Sequence, residues 1–332
     1  MSPSATDLPR FRLFADPSPL QPLPRLSAAL GGRAEIWVKR EDLLPLAFGG
    51  NKVRNLEFLV GAALAEGADT LVTSGRRWSN HCRLTAAAGA QAGLGVELVL
   101  SGPAVSPPGP GLRLMTALGA VVHQVPTADR PARETEVERV TAAIRARGGR
   151  PYVIGVGGSG AVGAWGQVLA GHEAFDQAEN GGVTVDAIVV PSATGGTQAG
   201  LIWSAASRSP RTRIVGVVVA RPAPELRPAI QATVGRLGAI RDRARGMTAD
   251  AATVAPVELD ETQLGHGYGR PTEAATEAAA LLARSEAILV DPIYTGKALA
   301  SLVAGVRAGA WDGRRVVFWH AGGLPGIFEP LD

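Results

Sequence analysis

The sequence predicts an α/β protein built on parallel sheet with crossover helices on both faces, and three observations lead there. Short apolar runs rich in β-branched residues alternate with longer Ala- and Leu-rich stretches of helical spacing. Glycine-rich turns fall where the apolar runs end and the helical stretches begin, at 155 to 160, 194 to 196 and 320 to 323. No period of about 20 to 50 residues repeats, which argues against a solenoid.

In chain order the expected strands are "LVT" at 71, "VELVL" at 96, "AVVHQV" at 120, "PYVI" at 151, "DAIVVP" at 186, "IVGVVVA" at 214, "AILV" at 287 and "VVFW" at 316. "WVKRED" places Lys39 on a further strand, paired with Glu41 or Asp42. "SGPAVSPPGPG" at 101 to 111 reads as a surface loop, and 241 to 265 as a long polar, mobile connection. With 332 residues, 46% of them hydrophobic, the chain can fill two domains. In open α/β sheets ligands gather at the carboxyl ends of the strands, so the glycine turns mark where a site is expected.

Composition narrows the function classes. A net charge of +3 comes with arginines scattered among acids, without a basic block, so nucleic acid is not an expected partner. The apolar runs are strand-length, too short to span a bilayer. The proline-broken start lacks the apolar stretch of a secretory leader. One cysteine, Cys82, cannot form an internal disulfide. A soluble cytoplasmic protein is therefore expected.

Only three of the 33 basic residues are lysines: Lys39, Lys52 and Lys297. Lys52 follows two glycines and an asparagine in "AFGGNKVRNLEF". Where arginine serves for bare charge, a lysine in such a turn implies that an amine is wanted, because lysine alone of the two can lose its proton and condense with a carbonyl. Lys297 reads instead as the start of a solvated helix. "PSATGGTQAG" follows the strand at 186, and its Thr194, Gly195, Gly196 and Thr197 would put backbone N–H groups, two hydroxyls and a helix N-terminus around one point suited to a phosphate. It lacks the Gly-Lys-Ser/Thr of a P-loop and the G-x-G-x-x-G of dinucleotide folds, and it also reads as an ordinary turn whose glycines serve only its dihedrals. In "TSGRRWSNHCRLTAAAGA", Ser79, Asn80 and His81 open an Ala-rich helix, where Ser79 also reads as a plain N-cap. His81 beside Cys82 has no second ligand pair at metal spacing, so no metal is expected, and Cys82 reads as a packing residue. Tyr268 in "GHGYGRPT" and Tyr294 in "DPIYTGKA" sit in turns and are candidate acid, base or orienting groups. An isolated lysine, a phosphate cradle and small hydroxyls together suit an aldehyde-bearing phosphate cofactor, pyridoxal 5'-phosphate.

The motifs "WVKREDL", "GGNKVRNLEFL", "SNHCRLTAAAGAQAGL", "TGGTQAGL", "GYGRPT", "DPIYTGKA" and "HAGGLPGIF" occur in the order found in a known family. The chain resembles the pyridoxal-phosphate enzymes of the 1-aminocyclopropane-1-carboxylate deaminase and D-cysteine desulfhydrase family, from about residue 10 to 328. That resemblance implies the tryptophan synthase β-like fold (fold type II): two open, twisted, mostly parallel sheets with helices on both faces. It further implies a large cofactor domain of residues 1–53 and 166–332, a small domain of 54–165, an active site in the cleft between them, and a homodimer. Lys52 would carry the cofactor aldehyde, Asn80 would bond its ring hydroxyl, and Thr194, Gly195, Gly196 and Thr197 would hold its phosphate. Ser79 and His81 would face the substrate, a small amino acid, with Trp78, Tyr268 and Tyr294 lining its side.

Small departures steer the activity. The deaminase branch carries a Tyr-Glu pair whose carboxylate keeps the ring nitrogen protonated, whereas this chain has Tyr294-Thr295, which favours β-elimination from D-cysteine or a related β-substituted amino acid. Cyclopropane deamination, elimination from an anionic analogue such as cysteate, and a cofactor-binding homologue with lost catalysis are the alternatives. "GRRW" replaces the family's small and amide residues, so Arg76 or Arg77 either enters the pocket to meet an extra anion or faces water. Ala321 replaces a threonine, and "PSATGG" lacks one glycine of the family's phosphate loop.

Overall fold

The computed structural model describes residues 8–244 and 256–330. From the start of the chain the elements are β1 (Leu20–Pro22), α1 (Pro24–Ala29), β2 (Glu35–Arg40), α2 (Lys52–Ala65), β3 (Thr70–Arg76), α3 (Asn80–Ala92), β4 (Gly95–Ser101), α4 (Pro110–Ala117), β5 (Val121–Val125), α5 (Arg130–Ala146) and β6 (Pro151–Val153). There follow α6 (Ala161–Asn180), β7 (Ala187–Ser192), α7 (Gly196–Arg208), β8 (Arg213–Val218), α8 (Ala223–Ala244), β9 (Glu258–Asp260), α9 (Glu273–Glu286), α10 (Thr295–Arg307) and β10 (Arg315–His320).

They form two sheets. One runs β1-β2-β10-β7-β8-β9, parallel except for β1, and the other runs β5-β4-β3-β6, all parallel. The fold is thus the expected α/β arrangement of two open, mostly parallel sheets. Parallel strands covered on both faces must be apolar on both, and β10 illustrates it. Val316 and Phe318 pack into a core with α9 and α10, while Val317 and Trp319 join a second core with α6, α7 and α8. The smaller sheet is covered likewise, Leu71 and Leu98 against α2 and α3, Val72 and Val99 against α5. Capping marks several helix starts: Ser79 accepts from the Cys82 N–H (3.2 Å), Asp129 from Ala132 (2.9 Å) and Thr272 from Ala275 (3.1 Å).

Three expectations need correction. "AILV" at 287 is not a strand: Ala287 ends α9 in a left-handed conformation, Ile288 and Val290 are buried, and the Leu289 carbonyl is taken by the His320 side chain (2.8 Å). Alternating burial mimicked a strand where, among the described residues, no neighbouring strand supplies a ladder. Lys39 does lie on β2, but its amine bonds Glu173, Gln177 and the Ser18 carbonyl rather than Glu41 or Asp42. Lys297 is buried, not solvated, and donates to the Leu264 carbonyl (2.8 Å) and the Gly267 carbonyl (3.2 Å). Of the connection at 241 to 265, residues 245–255 lie outside the described residues; the last part carries β9 and a turn.

Candidate active site

A cleft of about 770 Å³ opens where the two sheets meet, lined at the carboxyl ends of β3 and β7 and by the loop after β6. Lys52, Ser79, Asn80, His81, Thr194, Gly195, Gly196, Thr197, Tyr268 and Tyr294 all line it. Trp78 and Thr295 do not. Cys82 is fully buried, and burial raises its thiol pKa to about 11, as befits a packing residue.

Lys52 is the first residue of α2, and the loop before it is held from several sides. Arg83, buried on α3, donates to the Ala47 and Gly49 carbonyls (3.3 Å to Gly49), while the Asn51 N–H donates to the Ala321 carbonyl (3.0 Å). Desolvation lowers the Lys52 pKa to about 8, so near neutral pH a useful fraction of the amine is unprotonated and nucleophilic. Across the cleft, Gly195 turns the chain with φ +84°, and a Cβ there would lie 2.4 Å from Ile230. That turn starts α7, whose first N–H groups have no partner within the helix. Thr197 accepts from the Asn51 amide (2.7 Å), leaving its own hydroxyl proton to donate.

Asn80 and His81 have their atoms assigned by neighbours. The Arg83 guanidinium donates to Asn80 Oδ1 (3.3 Å), which turns the amide Nδ2 the other way. A Cβ on Gly323 would lie 3.1 Å from that Nδ2 and 2.6 Å from Asp291 Oδ2, so only glycine lets these groups approach. Thr73 donates to the Ile154 carbonyl (2.8 Å), so it must accept from His81 Nε2 (3.0 Å). His81 Nδ1 is then a bare acceptor, buried and without a partner among the described residues. Burial, then the Lys52 charge, pushes the imidazole pKa down to about 3, so it stays neutral.

Tyr268 and Tyr294 share a short hydroxyl-to-hydroxyl hydrogen bond, and burial raises both pKa values. Trp78 packs behind Tyr268, ring centroids 6.2 Å apart, with Arg76 and Arg77 stacked on its indole. Arg76 lines the cleft, whereas Arg77 is buried within 3.9 Å of Glu329. The Thr295 hydroxyl bonds Asp291, a buried carboxylate that also accepts the Ile293, Tyr294 and Thr295 N–H groups. The threonine is therefore one hydrogen bond from an acid, a contact hidden from residue-by-residue reading. Asn51, next to Lys52, was legible by position, and Asp291 as the first residue of "DPIYTGKA"; the cleft-lining Arg133 had no signal beyond its residue type.

A lysine of lowered pKa, a helix N-terminus behind a left-handed glycine and an amide donor fit an aldehyde-bearing phosphate. Comparison with known proteins agrees. Residues 12–322 match the model of the family "Pyridoxal-phosphate dependent enzyme". A D-cysteine desulfhydrase of Salmonella typhi is 40% identical over 329 residues, covering 97% of this chain and 96% of that protein, and one from Salmonella newport matches equally. A solved structure of an ACC deaminase homologue superposes with a TM-score of 0.85 at 32% identity, over 97% of this chain and 94% of the other. The solved T.th. threonine deaminase, at 21% identity, 92% coverage of each chain and TM-score 0.65, shares the fold. Matched along nearly its whole length, the chain belongs to the pyridoxal-phosphate dependent enzymes and is an elimination lyase among them.

Proposed function

We propose that the enzyme removes a β-substituent and the amino group from a small amino acid, D-cysteine or a close relative, releasing an α-keto acid and ammonia. The observation that carries the reading is the Lys52 amine, lowered to a pKa of about 8 and set across the cleft from the α7 N-terminus. In this reading Lys52 holds the cofactor aldehyde, Thr194, Gly195, Gly196 and Thr197 hold its phosphate, and Asn80 Nδ2 donates to its ring hydroxyl. When bound, the cofactor supplies an electron-withdrawing ring that stabilises negative charge at the substrate Cα. Lys52 then moves the α-proton, with Ser79 and Tyr294 within the same cleft as proton partners. Tyr268 orients Tyr294 through their shared hydrogen bond. Thr295, outside the cleft lining and with its hydroxyl proton on Asp291, would meet the ring nitrogen only as an acceptor, and Trp78 would act on the substrate only through Tyr268. His81 presents Nδ1 as an acceptor.

The division at 54 and 166, the cytoplasmic location and the homodimer belong to the same proposal; among the described residues no helix is long and apolar enough to cross a membrane. The purified protein should absorb near the violet edge of the visible range, and Lys52→Ala should lose that band together with all keto-acid release from D-cysteine. A wild-type protein that stays colourless with added cofactor, or that releases keto acid from 1-aminocyclopropane-1-carboxylate but not from D-cysteine, defeats the proposal.

A further inference from the structure

Arg83 is a buried cation without an acid. It is 1% exposed, and among the described residues no carboxylate stands at ion-pair distance and its Nε has no partner. Burial lowers its pKa to about 10, which still leaves the guanidinium charged at neutral pH. Such a group is costly to bury, because neutral acceptors return less than a carboxylate would. Its acceptors are the Ala47 and Gly49 carbonyls and Asn80 Oδ1. The carbonyls belong to a turn in which Ala47, Phe48, Gly49 and Gly50 all have positive φ (41°, 68°, 61° and 121°), a region that residues with a Cβ seldom enter. That turn leads into Lys52, so the guanidinium is gripped on the lysine side and aimed at Asn80 on the other.

The Asn80 amide is then one link in a chain. With Oδ1 held by a cation, electron density is drawn from the amide nitrogen and its protons become stronger donors. Asp291, across Gly323, does not claim them. Its two oxygens are filled by the Ile293, Tyr294 and Thr295 N–H groups and the Thr295 hydroxyl, four donors for about four acceptor positions. The Nδ2 protons remain for a ligand in the cleft that Asn80 lines.

We propose that Arg83 is a positioning residue whose charge, relayed through the Asn80 amide, keeps the ring hydroxyl of the bound cofactor as its anion. This rests on the cofactor placement given above. The proton that leaves the ring oxygen moves to the nitrogen joining the cofactor to Lys52, where it opens the linking carbon to attack by a substrate amine. No bond between heavy atoms changes.

The test is spectroscopic and needs no turnover. A lysine adduct of pyridoxal 5'-phosphate absorbs at the violet edge when its ring hydroxyl is ionised and in the near ultraviolet when the hydroxyl keeps its proton. At one pH near neutral, in protein loaded with pyridoxal 5'-phosphate, Arg83→Gln should lower the violet to near-ultraviolet ratio about fivefold or more, the difference between a charge-assisted and a neutral hydrogen bond. Arg83→Lys should recover part of it. Asn80→Ala, which leaves the arginine and its turn in place, should lower the ratio as far by itself, and Arg83→Gln added to it should lower it no further. An unchanged ratio in Asn80→Ala overturns the relay even if no Arg83 variant folds. A second full fall in the double variant also overturns it, because the arginine then acts through the turn at 47 to 50, and so does a ratio in Arg83→Lys no higher than in Arg83→Gln. Wild type that stays colourless with added cofactor defeats the cofactor placement itself, and the relay with it.

Discussion

At the scale of single residues, Lys52 is kept at a cost. Its pKa falls from 10.5 unfolded to about 8 folded because burial disfavours the charged amine. Below pH 8 the folded chain must protonate a desolvated amine that the unfolded chain protonates freely, so this group subtracts stability there. Stability then rises with pH between 8 and 10.5. Cofactor-free Lys52→Met should be more stable than wild type at pH 7, by up to about 3 kcal/mol, measured by urea titration. In wild type the rate of cofactor capture, followed by absorbance, should climb as pH passes about 8 instead of 10.5; a midpoint at the ordinary lysine value contradicts the lowered pKa. Much of this was legible in the sequence, because a lone lysine after two glycines is conspicuous. His81 was legible as a cleft residue but not as a neutral acceptor, since its tautomer depends on Thr73 and Ile154, which reach it only in the folded chain.

At the scale of elements, the sequence displays strands and glycine turns because each obeys a local rule, while the distant partners of a buried cation obey none. Lys297 is the clearest case. Adjacent to Tyr294-Thr295 at the start of α10, it looked solvated, yet its ammonium pins the turn at 264 to 267 immediately before Tyr268. Lys297→Met should leave the cofactor band in place and raise KM several-fold with a smaller change in kcat, because Tyr268 loses its fixed position. It should also destabilise the protein by about 1–3 kcal/mol through two unpaired carbonyls. Steady-state kinetics and a denaturant curve check both, and an unchanged KM removes the positioning role. The false strand at 287 teaches the complementary lesson. A run of apolar residues can bury alternate side chains against a core without any ladder to join.

At the scale of the whole molecule, one buried network ties β2 of the larger sheet to α2 and α6. Arg54 on α2 donates to Glu41 after β2 (2.6 Å) and to Glu173 on α6 (2.8 Å), Lys39 on β2 bonds Glu173, and Ser18 bonds Glu41. Burial opposes the Glu173 charge, but Arg54 and Lys39 outweigh it and hold the carboxyl below its usual range. The stability this supplies is present above the unfolded value of 4.5 and is lost as pH falls through the lower folded one. Arg54→Met should lower stability by about 3–5 kcal/mol, since Glu41 stays buried without its cation and Glu173 keeps only Lys39, and added salt should not reproduce the loss. A midpoint in denaturant within error of wild type contradicts that account.

The position of β10 has a temporal consequence. The strand slots between β2 and β7, and β2 lies far back along the chain, so that Val317 meets Trp37. During synthesis the ribosome releases this centrepiece after both of its neighbours, and until then β2 and β7 wait with open edges that invite other chains. The four strands of the smaller sheet have all emerged long before. A nascent polypeptide of this design therefore leaves those two edges unpaired until that strand appears, and a chain cut short ahead of it lacks the middle of a sheet, not its margin.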